Sequence, residues 1–186
     1  MNLYNKICFK RIILAASVYV AASFLLIFPV KAQQTQKEND WRQWHFLLGE
    51  WTGEGNSSMG KGSGGFSFDF DLQKRIIARK NHSFFPATKD KPAYSHDDLM
   101  IIYKDDENKT RAIYFDNEGH VINYKVGFSD DQNSVTFISD IIPNSPRYKL
   151  TYTKTGENTL NLKFEIAPAN QPGGFTTYIN ANAFKK

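Results

Sequence analysis

Apolar and polar residues alternate along much of the chain. Phe66, Phe68, Phe70 and Leu72 are separated by Ser67, Asp69 and Asp71, the period-two pattern of a strand with one buried face. The same rhythm returns at Tyr148, Leu150 and Tyr152, and at Leu160, Leu162, Phe164 and Ile166. Further strands are predicted at 50–55, 75–85, 98–104, 110–116, 120–128, 134–140, 147–153, 159–167 and 175–184. Turn chemistry separates them at 104–109, at Asn117-Glu118-Gly119, at 129–133 and at Thr155-Gly156-Glu157. The glycine-rich run Gly60 to Gly65 lacks the lysine and following helix of a phosphate loop and reads as a flexible hairpin connection. One stretch has a different period. Asp40 is placed to cap a short helix whose apolar face is Trp41, Trp44 and Leu48, with Phe46 and Leu47 between them and Gly49 as its stop. So short a helix is stable only when packed on something else.

About ten strands with mostly short links describe an antiparallel meander, and closing the sheet on itself removes its exposed edges. The expected fold is all-β: a single closed antiparallel meander barrel of about ten strands, preceded by the short N-terminal helix. No internal repeat of 20 to 50 residues argues for a propeller or solenoid.

The first segment changes the reading of composition. Lys6, Lys10 and Arg11 precede an uncharged run from Ile12 to Val30, and Val30-Lys31-Ala32 leads into a polar stretch, which is the organisation of a secretory signal. The expected domains are a signal peptide at 1–32, a linker at 33–39 and a barrel at 40–186, with the product periplasmic or secreted. Retention as an N-terminal membrane tether is the alternative, since the apolar run approaches spanning length. Of 23 Lys and Arg, four lie in the signal with no Asp or Glu, leaving 19 basic against 19 acidic residues. The basic character of the whole chain therefore belongs to the signal and makes no case for nucleic acid. Cys8, the one cysteine, leaves with it, so the barrel has no thiol nucleophile, disulfide or cysteine metal ligand. Stability must come from a core, for which the chain has 15 Phe, nine Tyr and three Trp.

Gly49-Glu50-Trp51, opening the first strand after a short helix, resembles the Gly-x-Trp signature of the calycin superfamily. The resemblance implies a lipocalin-like barrel in which the short N-terminal helix, with Gly49 and Trp51, closes one end, and a basic residue from late in the chain, Lys185 or Lys186, packs across the indole. The run from Phe46 to Gly55, His96-Asp97-Asp98-Leu99-Met100, and Ala112 to His120 are similar to a bacterial group of uncharacterised lipocalin-like or fatty-acid-binding-protein-like barrels with no settled function to transfer. The opening is also similar to nitrobindin, which binds haem through a histidine near its C-terminal end. No histidine follows His120 here, so haem is not carried over and no cofactor is expected.

Candidate chemistry centres on the hairpin at Asp116 to His120. A three-residue loop with Gly119 in the left-handed position pairs Tyr114 with Ile122, Ala112 with Tyr124 and Arg111 with Lys125. Two like charges opposite one another place the Arg111 face outside. Tyr114 and Tyr124 then point into the barrel, as orienting hydroxyls for a ligand or as core residues, with Asp116 and His120 at the rim as an acid–base pair or a structural contact. Arg79 and Asn81 share one face of their strand. Facing in, Arg79 is suited to a ligand carboxylate; facing out, it is solvated. His82 lies on the opposite face and is the remaining candidate for proton transfer. His96 and Asp98 can share a site where His96 and Asp97 cannot, but with His82 or His45 they form no complete ligand set, and no metal is expected. The expected function is an exported binding protein holding a small apolar or amphipathic molecule. Enzymatic acid–base chemistry at the barrel mouth is the alternative, and a filled structural barrel the third reading.

Overall fold

The computed structural model describes residues 40–57 and 60–186, with the side chains of 56 and 57 left aside. The expected signal peptide and linker lie outside the described residues. Ten strands follow in order: β1 (Gly49–Ser57), β2 (Gly60–Asp71), β3 (Ile76–Phe85), β4 (Tyr94–Lys104), β5 (Thr110–Asp116), β6 (Val121–Phe128), β7 (Ser134–Ser139), β8 (Arg147–Gly156), β9 (Thr159–Ala167) and β10 (Thr176–Lys185). Each pairs antiparallel with its neighbour in sequence, and β1 pairs with β10 from Trp51 opposite Lys185 to Ser57 opposite Ile179, closing the barrel. No helix among the described residues is long and apolar enough to cross a membrane.

The period-two pattern sets which side chains point inward. Trp51, Phe66, Phe68, Ile77, Met100, Ile102, Phe137, Tyr152 and Leu160 meet in one buried cluster. Phe66, Phe68, Phe137 and Tyr152 pack there mostly edge to face, with centroids 5.2–6.3 Å apart, a geometry favoured by the ring quadrupoles. The cluster fills the half of the barrel toward the starts of β1, β3 and β5.

That end is plugged by the residues before β1, although not by the predicted helix. A single 3-10 turn, Arg42–Trp44, stands there; the residue preceding it is Trp41, with no side-chain cap. Asp40 instead holds Arg42 through its guanidinium at 2.7 Å and its backbone N–H at 3.1 Å. With three adjacent bulky residues, Phe46, Leu47 and Leu48, the segment is held by what it packs on rather than by a helical ladder. Trp44 meets Phe128 edge to face at 5.2 Å, Trp41 donates its indole N–H to the Lys74 carbonyl at 2.8 Å, and Trp51 donates to the Leu47 carbonyl at 2.7 Å. Lys185 Nζ lies 5.5 Å from the Trp51 ring, so the basic residue over the indole is Lys185. Gly49 has φ +100°, a backbone conformation that side-chain-bearing residues rarely adopt, so a glycine is favoured at the corner that aims Trp51 inward.

Two further expectations are corrected. Gly60 to Gly65 is no loose connection: these residues are the first half of β2, in register with Ser57 to Thr52 of β1. Glycines carry no alternation to read, and here they allow close approach: a Cβ at Gly53 or Gly64 would fall on the backbone of β10 or β3, and one at Gly62 on the Phe85 ring. The strand at the other end stops at Asp71, and Leu72 turns outward, 64 % exposed with φ 48°. The β5–β6 hairpin has the predicted register, with Tyr114 opposite Ile122, Ala112 opposite Tyr124 and Arg111 opposite Lys125, and Gly119 at φ +92°. Arg111 and Lys125 are tolerated side by side because each has its own acid, Asp105 at 2.9 Å and Asp140 at 2.7 Å.

Candidate functional site

Above the aromatic cluster the barrel is hollow. A cavity of about 500 Å³ opens between the ends of β3, β5 and β9 and the starts of β4, β6, β8 and β10. Its walls differ in character. On β1 and β2 it is bare backbone, with Gly53, Gly55, Gly62 and Gly64 presenting no side chain. On β8, β9 and β10 it is apolar, with Leu150, Leu162, Phe164, Ile166 and Ile179. On β3, β4, β5 and the β5–β6 turn it is polar and titratable.

The polar wall is one connected hydrogen-bond network. At its floor Arg79 and Asp98, each side chain 4 % exposed, form an ion pair. Asn81 Nδ2 donates to the other Asp98 oxygen at 2.9 Å, and His96 Nε2 lies 3.3 Å from it. The Arg79 guanidinium lies 5.9 Å from both the Phe66 and Tyr152 rings, with its Nε buried and without a partner. His96 Nδ1 stands 2.8 Å from Glu118 Oε1 and its Nε2 2.9 Å from the Tyr114 hydroxyl. The Tyr114 hydroxyl donates onward to Asp116 Oδ2 at 3.3 Å, Tyr94 donates to Glu118, and His120 Nδ1 lies 2.8 Å from Asp116 Oδ2.

These contacts set the protonation states. Hydrogen bonding to Asp98 raises His96 above its ordinary 6.5, with a further contribution from Glu118 that together outweigh the opposing desolvation. Both ring nitrogens thus face groups able to accept from an imidazolium. Burial raises Asp116, but the His120 backbone N–H and ring more than offset it and hold the carboxylate below its usual range; the Tyr94 hydroxyl does most to lower Glu118. Burial pushes Tyr114 and Tyr124 upward, so both stay protonated donors. Tyr152 is pushed up to about 12 by burial, against the pull of Arg79.

A raised histidine pKa has a definite sign in stability. The folded state holds the His96 proton more tightly than the unfolded chain, so this contribution is complete below the ordinary histidine pKa and is lost as pH rises through the folded value. Thermal denaturation between about pH 6 and about pH 9 is expected to show a declining Tm whose decline is reduced in His96→Gln. An unchanged slope in that variant would show that His96 does not carry it.

The predicted residues separate clearly. Arg79, Asn81, Tyr114, Tyr124, Asp116 and His120 all line the cavity. Arg79 is neither solvated nor open to a ligand carboxylate, because Asp98 already occupies it. His82 is turned outside, where it pairs with Asp97 at 2.8 Å with both side chains more than half exposed, so it takes no part in the site. His45 is exposed at the plugged end. Glu118 and Tyr94 complete the site without having been singled out. His96 Nδ1 or Nε2, Asp116 and Glu118 bring ligand atoms within 4.8 Å of one another, but the internal hydrogen bonds described above already engage all three.

No protein-family model matches the sequence, and no curated protein matches it. Among solved structures the chain is similar to a de novo designed fluorescence-activating β-barrel, at 10 % identity over 76 % of this chain and 95 % of that one, with a TM-score of 0.39. It is also similar to the S-type phycobiliprotein lyase CPES from Guillardia theta, at 7 % identity over 77 % of this chain and 90 % of that one, with a TM-score of 0.48.

Proposed function

We propose that this chain is an exported binding protein that holds one small amphipathic molecule in the open half of its barrel. The observation that carries the reading is the hollow itself: about 500 Å³, within the range of small-molecule pockets, with a polar wall facing an apolar one. A barrel filled by its own side chains would have continued the aromatic cluster upward; instead glycines take the inward positions of β1 and β2. Export rests on the basic start, the apolar run and the Val30-Lys31-Ala32 boundary.

Native mass spectrometry of the full-length product purified from its own host tests both parts. The expected spectrum shows a polypeptide beginning at Gln33 and carrying a non-covalent adduct that organic extraction removes. Leu162→Trp, which drives an indole into the cavity from the apolar wall, is expected to weaken binding of the recovered molecule about tenfold or more, ~1.4 kcal/mol, with little change in Tm. A reproducibly empty protein that takes up no apolar dye would overturn the carrier reading.

A second reading, acid–base chemistry at the mouth, is favoured by the contact of His120 with Asp116 at 2.8 Å. It requires that His120→Ala abolish turnover of the bound molecule while leaving it bound.

A further inference from the structure

The charges around the cavity define what kind of head group it accepts. Arg79 is the only Lys or Arg among the described residues that line it, and three carboxylates there, Asp98, Asp116 and Glu118, face Arg79 and two histidines, His96 and His120. Glu54 also borders the cavity, but its carboxylate is turned onto Lys61 at 2.7 Å. Taking the carboxylates and guanidinium as charged, the net charge of these six groups runs from −2 with both histidines neutral to zero with both protonated. At no point in that range is there excess positive charge for an anion.

Each cationic group is also already faced by a carboxylate. Asp98 holds Arg79 at the buried floor, Glu118 and Asp98 flank His96, and Asp116 holds His120. Negative capacity is left over at the rim. Glu118 is 43 % exposed and takes both of its hydrogen bonds, from Tyr94 and His96, on Oε1; none of the described residues bonds Oε2. Aromatic faces complete the surroundings. Tyr148 stacks on Phe164 at 6.1 Å and Tyr178 meets Phe164 edge-on at 6.1 Å, all three lining the cavity. These rings and the carboxylates Asp116 and Glu118 border the same cavity.

We infer that the cavity selects a cationic amphiphile, a protonated or quaternary amine on an apolar body, with the ammonium between Glu118 and the Tyr148–Phe164–Tyr178 rings and the body against Leu150, Leu162 and Ile179. This deepens the binding-barrel reading and rests on it. A carboxylate-headed ligand such as a fatty acid meets Glu118 and Asp116 on its way in and finds Arg79 already paired. A protonated amine gains a charge-assisted hydrogen bond at Glu118 Oε2, a quaternary one gains the ion pairing alone, and both gain cation–π attraction from the rings.

The test is calorimetric titration of the extracted, ligand-free protein near neutral pH with three probes sharing one naphthylmethyl body and ending in an ammonium, a hydroxyl or a carboxylate. The ammonium is expected to bind about tenfold or more tightly than the carboxylate, with the alcohol between them. Glu118→Gln should bring the ammonium to within about threefold of the alcohol, and Tyr148→Leu should weaken the ammonium more than the alcohol. Equal or tighter binding of the carboxylate overturns the cation preference and leaves the binding barrel standing. Failure of all three probes to bind overturns both.

Discussion

Asp98→Ala is expected to destabilise the barrel by about 3–5 kcal/mol, seen as a shift of the denaturant midpoint at unchanged m-value. The cause is what the substitution leaves behind. Arg79 has a side chain only 4 % exposed, its Nε is already unpartnered, and Asp98 is the one carboxylate paired with it among the described residues. An uncompensated guanidinium over the Phe66 and Tyr152 rings cannot reach water without opening the wall. Removing both charges at once separates this effect from the intrinsic value of the pair. Arg79→Met with Asp98→Leu is expected to recover most of the loss, because replacing a buried ion pair with apolar groups is often neutral or stabilising. A double variant as unstable as Asp98→Ala would show that Asp98 contributes mainly through Asn81 and His96.

Trp44→Ala is the second large effect, at about 3–5 kcal/mol by the same measurement. Trp44 is 1 % exposed and touches the rings of Trp41, Phe68, Phe128 and Phe137. It sits on a single 3-10 turn, whose backbone adds little of its own, so its burial is what fastens the segment before β1 to the barrel. Losing the indole both leaves a void and releases the plug. Loss below about 1 kcal/mol would mean that Trp41 and Leu47 close this end without it.

The barrel was legible where inward and outward residues differ in polarity. Phe66 to Phe70, Tyr148 to Tyr152 and Leu160 to Ile166 follow that rule, and the β5–β6 register followed from loop chemistry at Gly119 and the like charges Arg111 and Lys125. It was obscured where function puts polar groups inside. In β4 the inward residues Tyr94, His96 and Asp98 are no more apolar than the outward Ser95, Asp97 and Leu99, so the strand was predicted to start at 98 when it starts at Tyr94. The cross-strand register supplies the missing signal. With Asn81 opposite Asp98, an inward Arg79 has its buried acid on the neighbouring strand, and Ser83 opposite His96 shows that the pairing, and its inward polar residues, continue before 98. The 3-10 turn escaped for a different reason: Trp41 and Trp44 are spaced for a helix, but tertiary packing overrides a period carried by so few residues.

The β1–β10 seam has a consequence for how the molecule assembles. Nine of its ten strand pairings join neighbours along the chain, whereas Trp51 meets Lys185 and the Lys186 N–H reaches the Glu50 carbonyl at 3.0 Å across nearly the whole domain. Loop-closure entropy makes that pairing the costliest to form first. The chain can therefore collect its hairpins as a curling ribbon and zip shut last, and until it does, the edges of β1 and β10 stand open to other chains.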